Sequence, residues 1–298
     1  MFANIFGDYL VKNGKITKEQ FVYVMEEQKK TRVKLGLIAV SEKMITDKQA
    51  DEINRKQAVM DKRFGDIAVE LGYLRPEQVT KLLSLQGNPY MVFIQTITDK
   101  GYMLLKDLED ALISFQQENN FSDADIEAIK SGDVDRIIPV YLPEVPALTK
   151  ELILVAVRTI NRLISTDISI QKAEFVSSYS ANAIAMQHMK GDCNVTTGFS
   201  GNQYGLAGML AIANTYAGEE FDKLELDALD SISEFINIIN GLFATSLSYQ
   251  RVETELLPPV FAENVVTLNG EKQFCVVPLT IMGNAVSLIV STEEILQF

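Results

Sequence analysis

The stretch "LDSISEFINIIN", residues 229–240, decides how this 298-residue chain is read. Wound at 100° per residue, Ile232, Phe235, Ile236, Ile239 and Phe243 fall within one arc of roughly 100°, the width of a core-facing helical stripe. Asp230, Glu234, Asn237 and Gly241 gather within about 60° of one another on the opposite side. The spacing therefore predicts a long helix with one buried face and a polar ridge on the other. Gly241 leaves room on that ridge for another molecule to approach closely. A ridge of this kind is also what an ordinary solvated helix face presents, so its meaning depends on the sequence around it. Downstream comes "LLPPVF", residues 256–261, which places 21 residues between Asn237 and Pro259.

The surroundings of that helix mix two periodicities. "ALTKELILVAVRTINRLIS" (147–165) repeats apolar residues at helical spacing, whereas "ISIQKAEF", "AIAMQHMK" and "NVTTGFSG" read as strands. "QFCVVPLTI" and "AVSLIVST" predict a hairpin around "MGN". The C-terminal half is thus an α+β sheet domain with long helices. The lone His188 sits mid-strand without a positioned partner and reads as structural, because histidine catalysis needs one. The glycines of "GFSGNQYG" match neither a dinucleotide fingerprint nor a P-loop, and predict a turn.

The pattern of Asp230, three residues, Glu234, two residues, Asn237, then 21 residues to Pro259 resembles the CheX/CheC/FliY family of chemotaxis phosphatases, over about residues 147–298. One copy of the motif points to CheX rather than to the two-site CheC. The resemblance implies a substrate, the phosphorylated aspartate of a CheY-like response regulator. Asn237 would enter the regulator's active site and orient water in line with phosphorus, and Glu234 would pair with the regulator's lysine. A carboxamide suits that task, since it both donates and accepts hydrogen bonds without becoming charged. Asp230 would shape the ridge and Pro259 would fix the adjoining loop. The regulator brings its own Mg²⁺, so no metal or cofactor of this chain's own is implied; family precedent implies a homodimer.

Composition bounds the alternatives. A net charge of −13, without a segregated basic patch, would repel a phosphate backbone and argues against nucleic acid as a partner. The start "MFANIFGDYLVKNGK" lacks a basic n-region and a sustained apolar core, and no apolar run approaches membrane-spanning length, so a cytoplasmic protein without membrane insertion is expected. Cys193 and Cys275, without CxxC spacing, give no zinc signal and read as small buried hydrophobes in a reducing compartment.

The N-terminal half repeats. "IFGDYLVKNGKITKEQFVYVMEEQ", "KLGLIAVSEKMITDKQADEINRKQ" and "RFGDIAVELGYLRPEQVTKLLSLQ" align without a gap at a period of 29 residues, and a worn fourth copy follows. Each predicts two short helices joined by a turn. The second helix opens on Thr17 and Gln20, on Thr46 and Gln49, or near Pro76. Gly14 and Gly72 suit a left-handed helix end, with Lys43 at the same phase. This pattern resembles the MshEN domain of type II secretion and pilus ATPases: a 24-residue motif opening on Arg-Leu-Gly and closing on Gln, in tandem copies five residues apart. That family binds cyclic di-GMP, and the resemblance assigns such an effector to Lys34, Leu35, Gly36, Arg63, Phe64 and Gly65. The leading arginine survives only as Arg63; Ile5 and Lys34 hold its place in the other copies. A plain structural or docking module fits the same repeats.

The resulting organisation is an N-terminal helical repeat module (1–116), a connector (117–145) made of a short helix and a proline-marked extended segment, and a CheX-like phosphatase domain (146–298). Asp123, Asp125 and Glu127 in the connector do not make a calcium loop, since Ile126 and Ala128 stand where its sharp glycine turn belongs. Two other roles stay open: a non-enzymatic flagellar-switch-like scaffold, and a cyclic di-GMP-responsive adaptor with the C-terminal half as output.

Overall fold

The computed structural model describes residues 1–57, 59–60, 62–142, 144–201 and 205–298. The chain divides into two compact units, Phe2–Gly132 and Asp133–Phe298 with Met1.

The regular elements of the first unit are helices: α1 (Phe2–Lys12), α2 (Lys18–Glu27), α3 (Leu35–Ser41), α4 (Asp47–Gln57), α5 (Phe64–Glu70), α6 (Pro76–Ser84), α7 (Pro89–Asp99), α8 (Leu105–Asn119) and α9 (Asp123–Lys130). The second helix of a pair starts where the sequence marks it. Gln20 Oε1 accepts from the Thr17 N–H at 2.8 Å while Thr17 Oγ1 accepts from the Gln20 N–H at 3.2 Å. Thr46 and Gln49 repeat the exchange at 2.8 and 3.3 Å, so each box satisfies two amides that the helix itself leaves orphaned. The turn inside each pair passes through a left-handed residue at one phase: Gly14 (φ 63°), Lys43 (φ 55°), Gly72 (φ 72°) and Gly101 (φ 68°).

The second unit holds α10 (Val134–Tyr141), α11 (Ala147–Leu163), β1 (Ile168–Ile170), β2 (Glu174–Ala181), β3 (Ala183–Gly191), β4 (Val195–Gly201), α12 (Ala207–Ala217), α13 (Leu226–Tyr249), β5 (Thr254–Leu256), β6 (Val260–Ala262), β7 (Val266–Ile281) and β8 (Asn284–Ser291). Its antiparallel sheet runs β1-β7-β8-β4-β3-β5, with β2 also on β7 and β6 also on β3. Met282 (φ 51°) and Gly283 (φ 75°) close the β7–β8 hairpin; two positive φ values match the twist of the flanking strands. No described helix is long and apolar enough to cross a membrane.

Register sets the two faces of this sheet. Ala185, Gln187 and Met189 of β3 share one face and Ile184, Met186 and His188 the other, and all six are buried. The first face lies under α13, and the second meets a core cluster that includes Leu268, Phe274 and Ile289. A strand covered on both sides loses the alternation that marks a half-exposed one.

Three expectations need correction. The extended segment expected late in the connector is helix α10, capped by the Asp133 carboxylate on the Asp135 N–H (2.9 Å) and carrying Pro139 inside it. "ISIQKAEF" is interrupted: β1 ends at Ile170 and β2 starts at Glu174. Of the residues expected to form a glycine turn, Gly198 and Gly201 belong to β4, whereas 202–204 lie outside the described residues.

Candidate functional site

Helix α13 separates its two faces as its periodicity requires. Ile232, Phe235, Ile236, Ile239 and Phe243 are fully buried, each contributing about 1.5–3 kcal/mol of apolar burial. Phe235 sits between Phe199 of β4 (ring centroids 5.9 Å apart) and Tyr216 of α12 (5.6 Å). On the other face Asp230, Glu234 and Asn237 are exposed and Gly241 is half-buried. Two serines between the faces are satisfied inside the fold: Ser231 Oγ donates to the Ala213 carbonyl at 3.1 Å and Ser233 Oγ to the Leu229 carbonyl at 2.8 Å.

The ridge is tied to the proline segment by a residue the sequence does not advertise. Gln187 of β3, 2% exposed, donates from Nε2 to Asn237 Oδ1 (2.9 Å) and to the Leu257 carbonyl (3.0 Å). Its Oε1 accepts from Nδ2 of the buried Asn240 at 3.0 Å. Leu257 directly precedes Pro258 and the exposed Pro259. Here β3 pairs first with β5 (Met189↔Leu256) and then with β6 (Met186↔Val260), so Gln187 and His188 face three residues, Leu257, Pro258 and Pro259. That is a one-residue bulge, and two prolines suit it because they have no N–H to leave unpaired.

Burial raises the Tyr216 phenol above its usual range, and the Glu234 carboxylate adds to that rise. His188 lies on the far face of the strand, with Nδ1 3.1 Å from Thr196 Oγ1. Burial, then the Lys190 charge, lowers its pKa and favours a neutral structural imidazole. Cys275 is buried and its thiol is pushed up to about 12; Cys193 is only half-buried, in contrast to the expectation for both.

Among the described residues nothing packs against Gly241: a Cβ there would meet no atom within 4 Å. Glycine inside a helix costs about 0.5–1 kcal/mol relative to alanine. Gly241→Ala is therefore expected to stabilise the second unit by that amount in urea titrations, and a loss of stability would show an unrecognised internal contact.

The six N-terminal candidates come together around one cavity of about 1210 Å³, which Lys34, Leu35, Gly36, Arg63, Phe64 and Gly65 all line. Its walls are related by the 29-residue period. Gln57 Nε2 donates to the Lys62 carbonyl (3.2 Å), and Gln86, one period on, donates to the Val33 carbonyl (2.9 Å), one period before Lys62. A Cβ on Gly36 would come 3.0 Å from the Phe64 ring, and one on Gly65 3.6 Å from Leu35. The second and third copies thus exchange equivalent contacts, as in an isologous pair. Lys34 Nζ is already 2.9 Å from Asp99. Asp47, Asp51, Asp66 and Asp99 share the wall with Arg32, Lys34 and Arg63, so the cavity has no net positive lining.

No protein-family model matches the chain, and no curated protein matches it. Among solved structures, its neighbours include CheX and CheC-like chemotaxis proteins and a FliM middle domain, each matching about half of it. The chemotaxis protein CheX of Desulfovibrio desulfuricans aligns at 12% identity over 50% of this chain and 100% of its own, with a TM-score of 0.42. CheX of Vibrio vulnificus aligns at 15% identity over 50% and 100%, with a TM-score of 0.43. A third neighbour, in a CheX–CheY–BeF3–Mg²⁺ complex from Borrelia burgdorferi, aligns at 16% identity over 48% and 96%, with a TM-score of 0.38. The MshEN resemblance of the first unit finds no counterpart among them.

Proposed function

We propose that this chain hydrolyses the phosphoaspartate of a CheY-like response regulator. Asn237 orients the attacking water, Glu234 pairs with the regulator's active-site lysine, and the regulator supplies the Mg²⁺. The observation that carries this reading is the exposed Glu234 and Asn237 ridge, with Asn237 joined through Gln187 to the carbonyl that precedes Pro258 and Pro259. Such a site works by positioning, since phosphoryl transfer asks little covalent chemistry of the protein. Receiver domains from the same genome, phosphorylated with acetyl phosphate, provide the test. At least one should lose its phosphate faster with the chain present, whereas binding without acceleration of any receiver would favour a non-enzymatic flagellar-switch-like scaffold.

A second reading, effector binding by the first unit, is proposed from the shape of its cavity. Two of its walls, from the second and third copies, each open on a cation and a glycine and suit a ligand with two equivalent halves such as cyclic di-GMP, while Gln95, Asp99 and Leu104 of α7 and the turn after it close a third side. The phosphates would seat on Arg63 and on Lys34, which would have to exchange its Asp99 partner for phosphate. Calorimetry on the full chain should register binding that Arg63→Ala weakens by at least about 1.5 kcal/mol, the scale of a lost charged hydrogen bond. An absence of heat would leave the unit a structural or docking module.

A further inference from the structure

Asn237 is exposed, and an exposed carboxamide ordinarily rotates and exchanges its oxygen and nitrogen ends. Here the exchange is blocked from within. The Leu257 carbonyl can only accept, so it fixes the Nε2 end of Gln187 toward itself and toward Asn237. Asn240 pins the other end, because its Nδ2 donates to Gln187 Oε1 and turning either amide would set two oxygens or two N–H groups face to face. Gln187 and Asn240 are both buried, so solvent does not relieve such a mismatch. With a donor fixed opposite it, Asn237 keeps Oδ1 inward. Its two Nδ2–H donors and one remaining Oδ1 lone pair are left for an incoming group.

We infer that Gln187 is a positioning residue of this site: it sets the Asn237 carboxamide oxygen-in and nitrogen-out, and links that setting to the Leu257–Pro259 bulge. This rests on the phosphatase reading above. In that setting, Nδ2 donates to a phosphoryl oxygen while the free lone pair of Oδ1 accepts from the attacking water. The two contacts define a line only if the amide cannot turn, which is the contribution of Gln187. The link to the bulge also gives the distant proline a role: it holds the Leu257 carbonyl that orients the glutamine.

The test has two arms. In the first, Gln187→Leu removes both donors, and Gln187→Glu keeps the side chain's shape and its acceptor toward Asn240 but cannot donate when ionised. In whichever variant folds, kcat for a phosphorylated receiver is expected to fall about ten- to a hundred-fold, by analogy with the loss seen when outer-shell partners that orient metal ligands are removed. KM should stay within about two-fold, because docking is untouched. A folded variant with unchanged kcat overturns the inference. The second arm needs neither a variant nor a receiver: in the wild-type protein, side-chain amide NMR should find the Gln187 Nε2 protons protected and the Asn237 Nδ2 protons in fast exchange with solvent. Protected Asn237 Nδ2 protons would overturn the inference. If wild-type chain accelerates no receiver, the proposed function fails, and the amide spectrum alone decides the role of Gln187.

Discussion

Asn237→Ala is expected to lower the maximal rate of receiver dephosphorylation by at least about a hundred-fold, the scale of losing one preorganised polar contact to a developing charge. Affinity for the phosphorylated receiver should change little if, as proposed, Asn237 acts on the transition state and the receiver docks through the rest of the ridge. The fold should also survive. Within the chain Asn237 accepts one bond from Gln187, which keeps its second acceptor at the Leu257 carbonyl after truncation. Exposed substitutions of this kind usually shift stability by only about 0.5 kcal/mol. Glu234→Ala should behave differently and raise KM, since its proposed partner is the regulator's lysine. Steady-state kinetics on the two variants, with melting curves as a control, separates these roles. Full activity in Asn237→Ala would reduce the ridge to a docking surface.

Two positions away on the same helix, Phe235→Ala should do the reverse and remove the fold. Phe235 is fully buried between Phe199 and Tyr216, in the apolar layer that joins α13 to β4 and α12. Truncating such a ring leaves a cavity that neighbours fill only partly and costs about 3–5 kcal/mol. That is a large share of the roughly 5–15 kcal/mol that holds a domain together. With a urea slope of about 2 kcal/mol per molar, the unfolding midpoint of the second unit should fall by roughly 1.5–2.5 M. A cost under about 1 kcal/mol in circular dichroism titrations would contradict the burial of this face. Asn237→Ala and Phe235→Ala together therefore read one helix twice, once for chemistry and once for packing.

The ridge was legible in the sequence because a 3.6-residue period is a local signal: the five residues assigned to its stripe are buried, and Asp230, Glu234 and Asn237 are exposed. Its bracing was not legible. Gln187 lies 50 residues before Asn237 and 70 before Leu257, in a strand buried on both faces where a polar residue breaks no visible pattern. Strands β5 and β6 were hidden for a related reason: each is three residues long, and the prolines between them lack the amides that mark a strand. Pro139 likewise disguised helix α10. In the first unit the period located the left-handed turns, Lys43 included, whereas the cavity lined by the second, third and fourth copies depends on tertiary pairing that no single copy encodes.

In the proposed reaction, water oriented by Asn237 attacks phosphorus and the chain turns over. The most direct measurement adds the chain at a small fraction of the concentration of a phosphorylated receiver in ¹⁸O-water and follows both the rate and the position of the label. The expected result is many phosphates released per chain, each carrying one ¹⁸O, with none in the receiver's aspartate and no acceleration by Asn237→Ala. Release that stops at one equivalent per chain, label in the aspartate, or an unchanged rate with wild-type protein would contradict it.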